Sequence, residues 1–348
     1  MPTQKKKIYR AGVIGCGAIA QECHLPGYAE NKQVELVACT DPSAARHAEI
    51  QETYPGIHAY TDHREMLAKE SLDIVSVCSP NKFHAAQAIA ALNAKCHVLC
   101  EKPMATTLKE ADRMIEAARN ARKKLMIGFT HRLFSGPIAC KDLLAKRRIG
   151  KPFMIRVRMA HGGPYPGWAK HNWFYNKELS AGGVLLDMGI HAIDQCLWLM
   201  GPIVSVQAIT ATLVKKIPVD DNALLLLEFK SGALGYIDVG WTSKPGFTGL
   251  EIYGSKGSII CDYVRGLQLC EGELSPSGEH THNWQTLEEN PIEGGWPVEI
   301  PHWIDVITGE ERLTSTGKAG RAALEIALAA YKSSKSGKRV AVGPAATK

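Results

Sequence analysis

The chain has 348 residues, of which 45% are hydrophobic and 22% charged, and its formal net charge is +6. That length points to two domains, and the ordinary hydrophobic content excludes a disordered chain. The excess positive charge is dispersed with no nucleic-acid module around it, and no run of about 18 apolar residues occurs, so neither a nucleic-acid nor a membrane partner is expected.

The run AGVIGCGAIA that follows Lys5-Lys6-Lys7 is short and glycine-broken, unlike a signal peptide. From Ile8 an apolar strand instead ends in Gly15-Cys16-Gly17-Ala18-Ile19-Ala20, the G-x-G-x-x-A turn that opens a dinucleotide-binding helix. The first glycine permits the turn, the second admits a pyrophosphate, and the small last residue lets helix pack on strand. VELVACTD ends at Asp41, at the spacing expected of a ribose-binding acid. Its charge favours NAD, while Ser43 and Arg46 keep NADP open. Next come a strand LDIVSVCSP (Leu72 to Pro80), a helix from Lys82 to Asn93 and a strand CHVLCEKP (Cys96 to Pro103). A helix from about Thr107 to Arg122 and a strand KLMIGFT (Lys124 to Thr130) complete the series. Such alternation predicts a doubly wound parallel sheet of the Rossmann type, whose ligands bind at the carboxyl ends of the strands. Ser79-Pro80-Asn81, Glu101-Lys102-Pro103 and His131-Arg132 all fall at such ends.

The scattered cysteines form no CxxC pair, and Cys39, Cys78, Cys96 and Cys100 lie in apolar runs. They read as reduced core thiols of a cytoplasmic protein, with no metal site expected. The loop from His161 to Tyr175 carries Tyr165, Trp168, Trp173, Phe174 and Tyr175, faces suited to stacking on sugar rings. Then Gly183 to Gln195, GVLLDMGIHAIDQ, sets Asp187, His191 and Asp194 on one helical face beside an apolar stripe of Leu186, Ile190, Ile193 and Leu197. From Leu179 to Val214 those two aspartates are the only formally charged side chains, where the chain-wide 22% would give about eight. This is not the composition of a solvated face, and Gly182-Gly183 before it suits close approach of backbone or substrate. KPFMIRVRMAH, VSVQAITATLV, ALLLLEFKSGALGYIDVGW, GLEIYGSKGSIICDY and GLQLCEG read as strands and hairpins. His280 and His282 read as a polar hairpin tip rather than metal ligands.

The turn Gly15 to Ala20, Asp41, SPNKFH (Ser79 to His84), CEKP (Cys100 to Pro103) and GGVLLDMGIHAID (Gly182 to Asp194) together resemble the glucose–fructose oxidoreductase / inositol dehydrogenase family, also called Gfo/Idh/MocA. The segment ALEIALAAYKSSKSGKRVAV resembles that family's terminal helix and strand. One departure is Asn93-Ala94-Lys95, where the family usually has a glycine and where the turn would be tightened or reshaped. The resemblance implies an α/β chain with a Rossmann domain (1–130) and a second α+β domain with a large, mostly antiparallel open sheet (131–348). Helix 318–335 would pack back on the first domain, and one sheet face would serve a homodimer or homotetramer.

The resemblance also implies a catalytic set of Lys102, Asp187 and His191, with Lys102 and His191 as the acid/base pair. Oxidation of an alcohol needs a base for the hydroxyl proton and a donor for the developing alkoxide. His191 suits the first task and Lys102 the second, and Asp187 can bond substrate hydroxyls or orient the imidazole. The expected cofactor contacts are Gly15, Gly17, Ala18, Ile19, Ala20, Asp41, Ser79, Pro80, Asn81, His84, Glu101 and Lys102. Arg132, Trp168 and Trp173 join the catalytic set as expected substrate contacts, and Asp194 supports the site or forms a salt bridge within its helix. The expectation is an NAD(P)-dependent oxidoreductase acting on a sugar, inositol or related polyol. An NAD-dependent glycosidase of the same superfamily and a non-catalytic sensor of cofactor or sugar stand as alternatives.

Overall fold

The computed structural model describes residues 7–167, 169, 171–272, 283–288 and 292–343. Strands β1 (Tyr9–Ile14), β2 (Val34–Thr40), β3 (His58–Tyr60), β4 (Ile74–Val77), β5 (His97–Cys100) and β6 (Leu125–Ile127) form one sheet in the order β3-β2-β1-β4-β5-β6. Every pairing in it is parallel. Helices α1 (Leu25–Glu30), α2 (Ala44–Thr53), α3 (His63–Lys69), α4 (Asn81–Asn93) and α5 (Leu108–Ala121) make the crossovers. Their starts are written locally. Ser43 and Asp62 accept from the Arg46 and Arg64 amides, and Thr107 and Glu110 close a reciprocal capping box. The order reverses between β1 and β4, which opens a crevice at their carboxyl ends. In the glycine-free turn after α4, Lys95 takes the left-handed conformation at φ 67°.

The second sheet has nine strands: β7 (Pro152–Ala160), β8 (Ile203–Ala211), β9 (Asn222–Phe229), β10 (Leu234–Gly240), β11 (Phe247–Gly254), β12 (Gly257–Asp262), β13 (Gly266–Glu271), β14 (Trp284–Glu288) and β15 (Val340–Ala341). They lie in the order β14-β13-β12-β11-β7-β10-β9-β8-β15, and only β7 and β10 pair in parallel. Alternation along β9 buries Ala223, Leu225, Leu227 and Phe229, whereas Leu224 and Leu226 on the other face are 51% and 61% exposed. Helices α6 (Ser135–Ala145), α7 (Lys177–Ser180), α8 (Ile190–Met200), α9 (Trp296–Thr308) and α10 (Gly317–Ser336) complete the chain.

Two of these helices tie the sheets together. The terminal helix α10 packs on α8 and β8 but also on α5 and β6, where Arg321 bridges Asp112 at 2.6 Å. Helix α9 is not foreshadowed by any apolar period, since Pro297 and Pro301 interrupt its pattern. Its Ile300, Trp303, Ile304 and Val306 are nevertheless fully buried in the core beneath β1. Among the described residues no disulfide forms, and no helix is long and apolar enough to cross a membrane.

Candidate active site

The crevice is built first by glycine. Gly15 takes φ 86°, and a Cβ there would stand 2.6 Å from the Ser79 amide, so the β1 and β4 loops meet only because that side chain is missing. Gly17 differs, since a Cβ on it would meet nothing within 4 Å. Its open face leaves room for a pyrophosphate, and Ala20 beyond it is buried under the helix. Asp41, at the end of β2, lies beside this loop and accepts from the Cys16 and Ser43 amides at 3.0 Å each. Arg46 is committed elsewhere, to Glu49 at 2.6 Å and His171 at 3.3 Å, and Ser43 is the cap of α2. The loop therefore fits a dinucleotide, and the two groups that kept a 2′-phosphate open are already engaged.

Across the crevice, Gly183 to Met200 is not one regular α-helix. A π-helical turn, Leu185–Gly189, precedes α8 and carries Asp187. Asp220 holds its start by accepting from the Gly183 and Leu185 amides, each at 2.9 Å, and from the Tyr331 hydroxyl at 2.8 Å. A Cβ on Gly183 would stand 1.9 Å from the Asp220 carbonyl oxygen. The close approach permitted by Gly182-Gly183 is thus to Asp220 and Tyr331, not to a substrate.

Lys102, just past β5, reaches over to this turn. Its Nζ donates to Asp187 Oδ1 at 2.7 Å and to the Asp187 carbonyl at 3.1 Å. The Trp241 indole donates to Asp187 Oδ2 at 3.2 Å. The ammonium has a third hydrogen to offer. His191, one turn on, is buried and its Nδ1 has no hydrogen-bond partner. Burial, then the charge of Lys102, pushes its pKa well below the ordinary value and keeps the imidazole neutral. His131 stands against it with ring centroids 4.6 Å apart, and the same two causes push His131 down to about 3. His161 Nδ1 accepts from the Gly163 amide at 2.8 Å, and burial lowers this imidazole as well. The result is one cation–carboxylate pair ringed by neutral imidazoles and Phe129.

Several expected contacts face elsewhere. Arg132 is buried and grips Asp194 at 2.6 and 2.7 Å while its remaining nitrogen donates to the Thr314 carbonyl, so all three of its nitrogens are engaged within the protein. Asp194 accordingly bonds across elements, not within its helix. Both ring nitrogens of His84 meet carbonyls, of Pro103 at 2.8 Å and Ser79 at 2.6 Å, which ties two strand-end loops together rather than facing a cofactor. The Asn81 amide donates to the Ser180 carbonyl, and Ser79 Oγ to Gln87. The Glu101 carboxylate turns inward to His24. Trp173 stacks on Phe174 at 3.9 Å, whereas Trp168, His280 and His282 lie outside the described residues. His131, His161, Trp241 and Asp220 were missed as site residues. Only His131 carried a sequence signal, its place after a strand.

The description "Oxidoreductase family, NAD-binding Rossmann fold" matches residues 9–129, and the Gfo/Idh/MocA C-terminal domain matches residues 138–260. The myo-inositol 2-dehydrogenase of Thermotoga maritima is 32% identical over 334 residues, 93% of this chain and 96% of that protein. The chain belongs to the Gfo/Idh/MocA oxidoreductase family. The D-glucoside 3-dehydrogenase of Escherichia coli is 35% identical over 192 residues, 55% of this chain and 54% of that protein. The WlbA dehydrogenase from Bordetella pertussis, solved with NADH and UDP-GlcNAcA, superposes with a TM-score of 0.80 at 26% identity, covering 97% of this chain and 100% of that one. This Gfo/Idh/MocA member is an NAD-dependent dehydrogenase of the sugar and inositol dehydrogenase type, acting on CH–OH groups.

Proposed function

We propose that the chain oxidises a secondary alcohol of a sugar, inositol or related polyol, with Lys102 and His191 as the acid/base pair and Asp187 as their organiser. The observation that carries this reading is the 2.7 Å bridge from Lys102, at a strand end of the nucleotide sheet, to Asp187 one turn before a neutral His191. The Gly15–Ala20 loop and Asp41 would hold NAD, which would supply the hydride acceptor. Every other step belongs to the protein. His191 takes the hydroxyl proton as the hydride leaves, and the third hydrogen of the Lys102 ammonium stabilises the oxygen as it gains charge. Asp187 holds that ammonium by its carboxylate and its carbonyl, so its direction is set before substrate arrives.

Polyol substrates are supported by the neutral, hydroxyl-compatible lining of His131, His161 and Trp241, and by relatives named for inositol and glucoside oxidation. The apolar outer face of the large sheet supports assembly into a homo-oligomer. The test is a panel of sugars and polyols with NAD, scored for reduced cofactor and for released sugar. Accumulating NADH supports the dehydrogenase, and sugar release without net reduction would replace it with a glycosidase. Binding of NAD and sugar with neither product would instead leave a sensor.

A further inference from the structure

Behind Lys102, away from the crevice, lies a second polar cluster drawn from four parts of the chain. His24, at the end of the π-helical turn Ala20–His24, bonds Ser76 Oγ through Nδ1 at 2.9 Å and Glu101 Oε1 through Nε2 at 3.1 Å. The Tyr28 hydroxyl meets Ser76 Oγ at 2.7 Å, and the Lys102 amide donates to Glu101 Oε2 at 3.2 Å. One direction of donation satisfies the whole chain: Tyr28 to Ser76, Ser76 to His24, His24 to Glu101. Glu299 of α9 enters this cluster fully buried, and neither of its carboxylate oxygens has a hydrogen-bond partner. Single ligand atoms of His24, Glu101 and Glu299 all lie within 4.8 Å of one another.

An isolated carboxylate in such surroundings is too costly to remain ionised, and it takes up a proton instead. Burial and the charge of Glu101 both push Glu299 well above the ordinary carboxylate range. Among the other titratable groups facing it, burial holds the Cys23 thiol up to about 12, and likewise raises Cys78 and Tyr28. A carboxylic acid has one hydrogen to donate, and a Glu101 carboxylate oxygen within 4.8 Å is the acceptor at hand.

We propose that Glu299 is a positioning residue of the hydride-transfer site: as a neutral acid it hydrogen-bonds the Glu101 carboxylate and, with His24, fixes the backbone that carries Lys102. The bond would make α9, a helix of the C-terminal half, part of the support of a lysine in the N-terminal half. The proposal rests on the reading of Lys102 as the oxygen-stabilising group.

Glu299→Gln keeps the shape and the donor, and Glu299→Leu keeps the volume without the hydrogen bond. The expected result is wild-type kcat in E299Q within about twofold, and in E299L a kcat about tenfold or more lower with KM and NAD affinity little changed. Infrared difference spectra of E299Q against the wild type should show the C=O stretch of one protonated acid, whether or not E299L folds. Full kcat in E299L, E299Q as impaired as E299L, or no such band would each overturn the proposal. So would one equivalent of divalent metal in the purified protein, since the three side chains would then be ligands. Full activity in Lys102→Met would defeat the underlying reading instead, and would leave the infrared band in place.

Discussion

Lys102 and His191 define each other: the ammonium, held by Asp187, adds to burial in keeping the imidazole neutral, and a neutral imidazole can accept a proton. His191→Ala should therefore lower kcat by about 10²–10⁴-fold and leave NAD affinity unchanged, as steady-state kinetics and cofactor titration would show. The same depression governs stability. His84, His131 and His191 are buried and neutral in the fold, whereas in the unfolded chain they protonate near the ordinary 6.5. Unfolding at lower pH then takes up protons, so their contribution is complete above about pH 6.5 and is lost as the pH falls toward about 4. Melting temperatures across that range should fall, and His131→Phe should fall less steeply. The proposed catalytic set could be picked out of the sequence because each member lies in a short motif. The partners of Arg132, Asn81 and His84 could not be read from the sequence, because Asp194, the Ser180 carbonyl and the Pro103 carbonyl lie 62, 99 and 19 residues away. A strand end says where a polar side chain starts and not which way it turns.

The turn that carries Asp187 depends on a fit between two backbones. Gly183→Ala puts a methyl 1.9 Å from the Asp220 carbonyl oxygen, which must move and take its hydrogen bonds to the helix start with it. A loss of about 1–3 kcal/mol is expected by chemical denaturation, with a matching fall in kcat. Lys95→Gly should act oppositely, since Lys95 occupies the left-handed region at φ 67° where glycine carries no Cβ penalty. A gain of about 1 kcal/mol in the same assay is expected. Element by element, the first sheet was readable because apolar runs alternate with capped helices. The short β3 has no apolar run, α9 carries two prolines, and the π-helical turn before α8 leaves no trace in a pattern of apolar spacings.

At the level of the whole chain, α9 and α10 bind the two sheets so that Lys102 and His191 meet in one crevice. The outer face of the large sheet pairs Ile209 with Leu224, 68% and 51% exposed, next to Leu226. A stripe of this kind suits a second copy of the chain. Leu224→Glu with Leu226→Glu should shift the mass in light scattering toward the monomer and leave NAD binding intact, whereas an unchanged mass would remove the oligomer from the account. The two-sheet layout was legible from the order of strands and helices, but the role of α9 was not, because packing between distant segments leaves no periodic mark. Oxidation of a polyol alcohol with NAD at Lys102 and His191, as proposed, leaves a direct optical trace. The most direct measurement is NADH formation on a sugar and polyol panel by the wild type and by His191→Ala. Stoichiometric NADH with at least one polyol is expected, with a loss of about 10² or more in the variant. Equal rates in the two proteins, or sugar release without NADH, would contradict it.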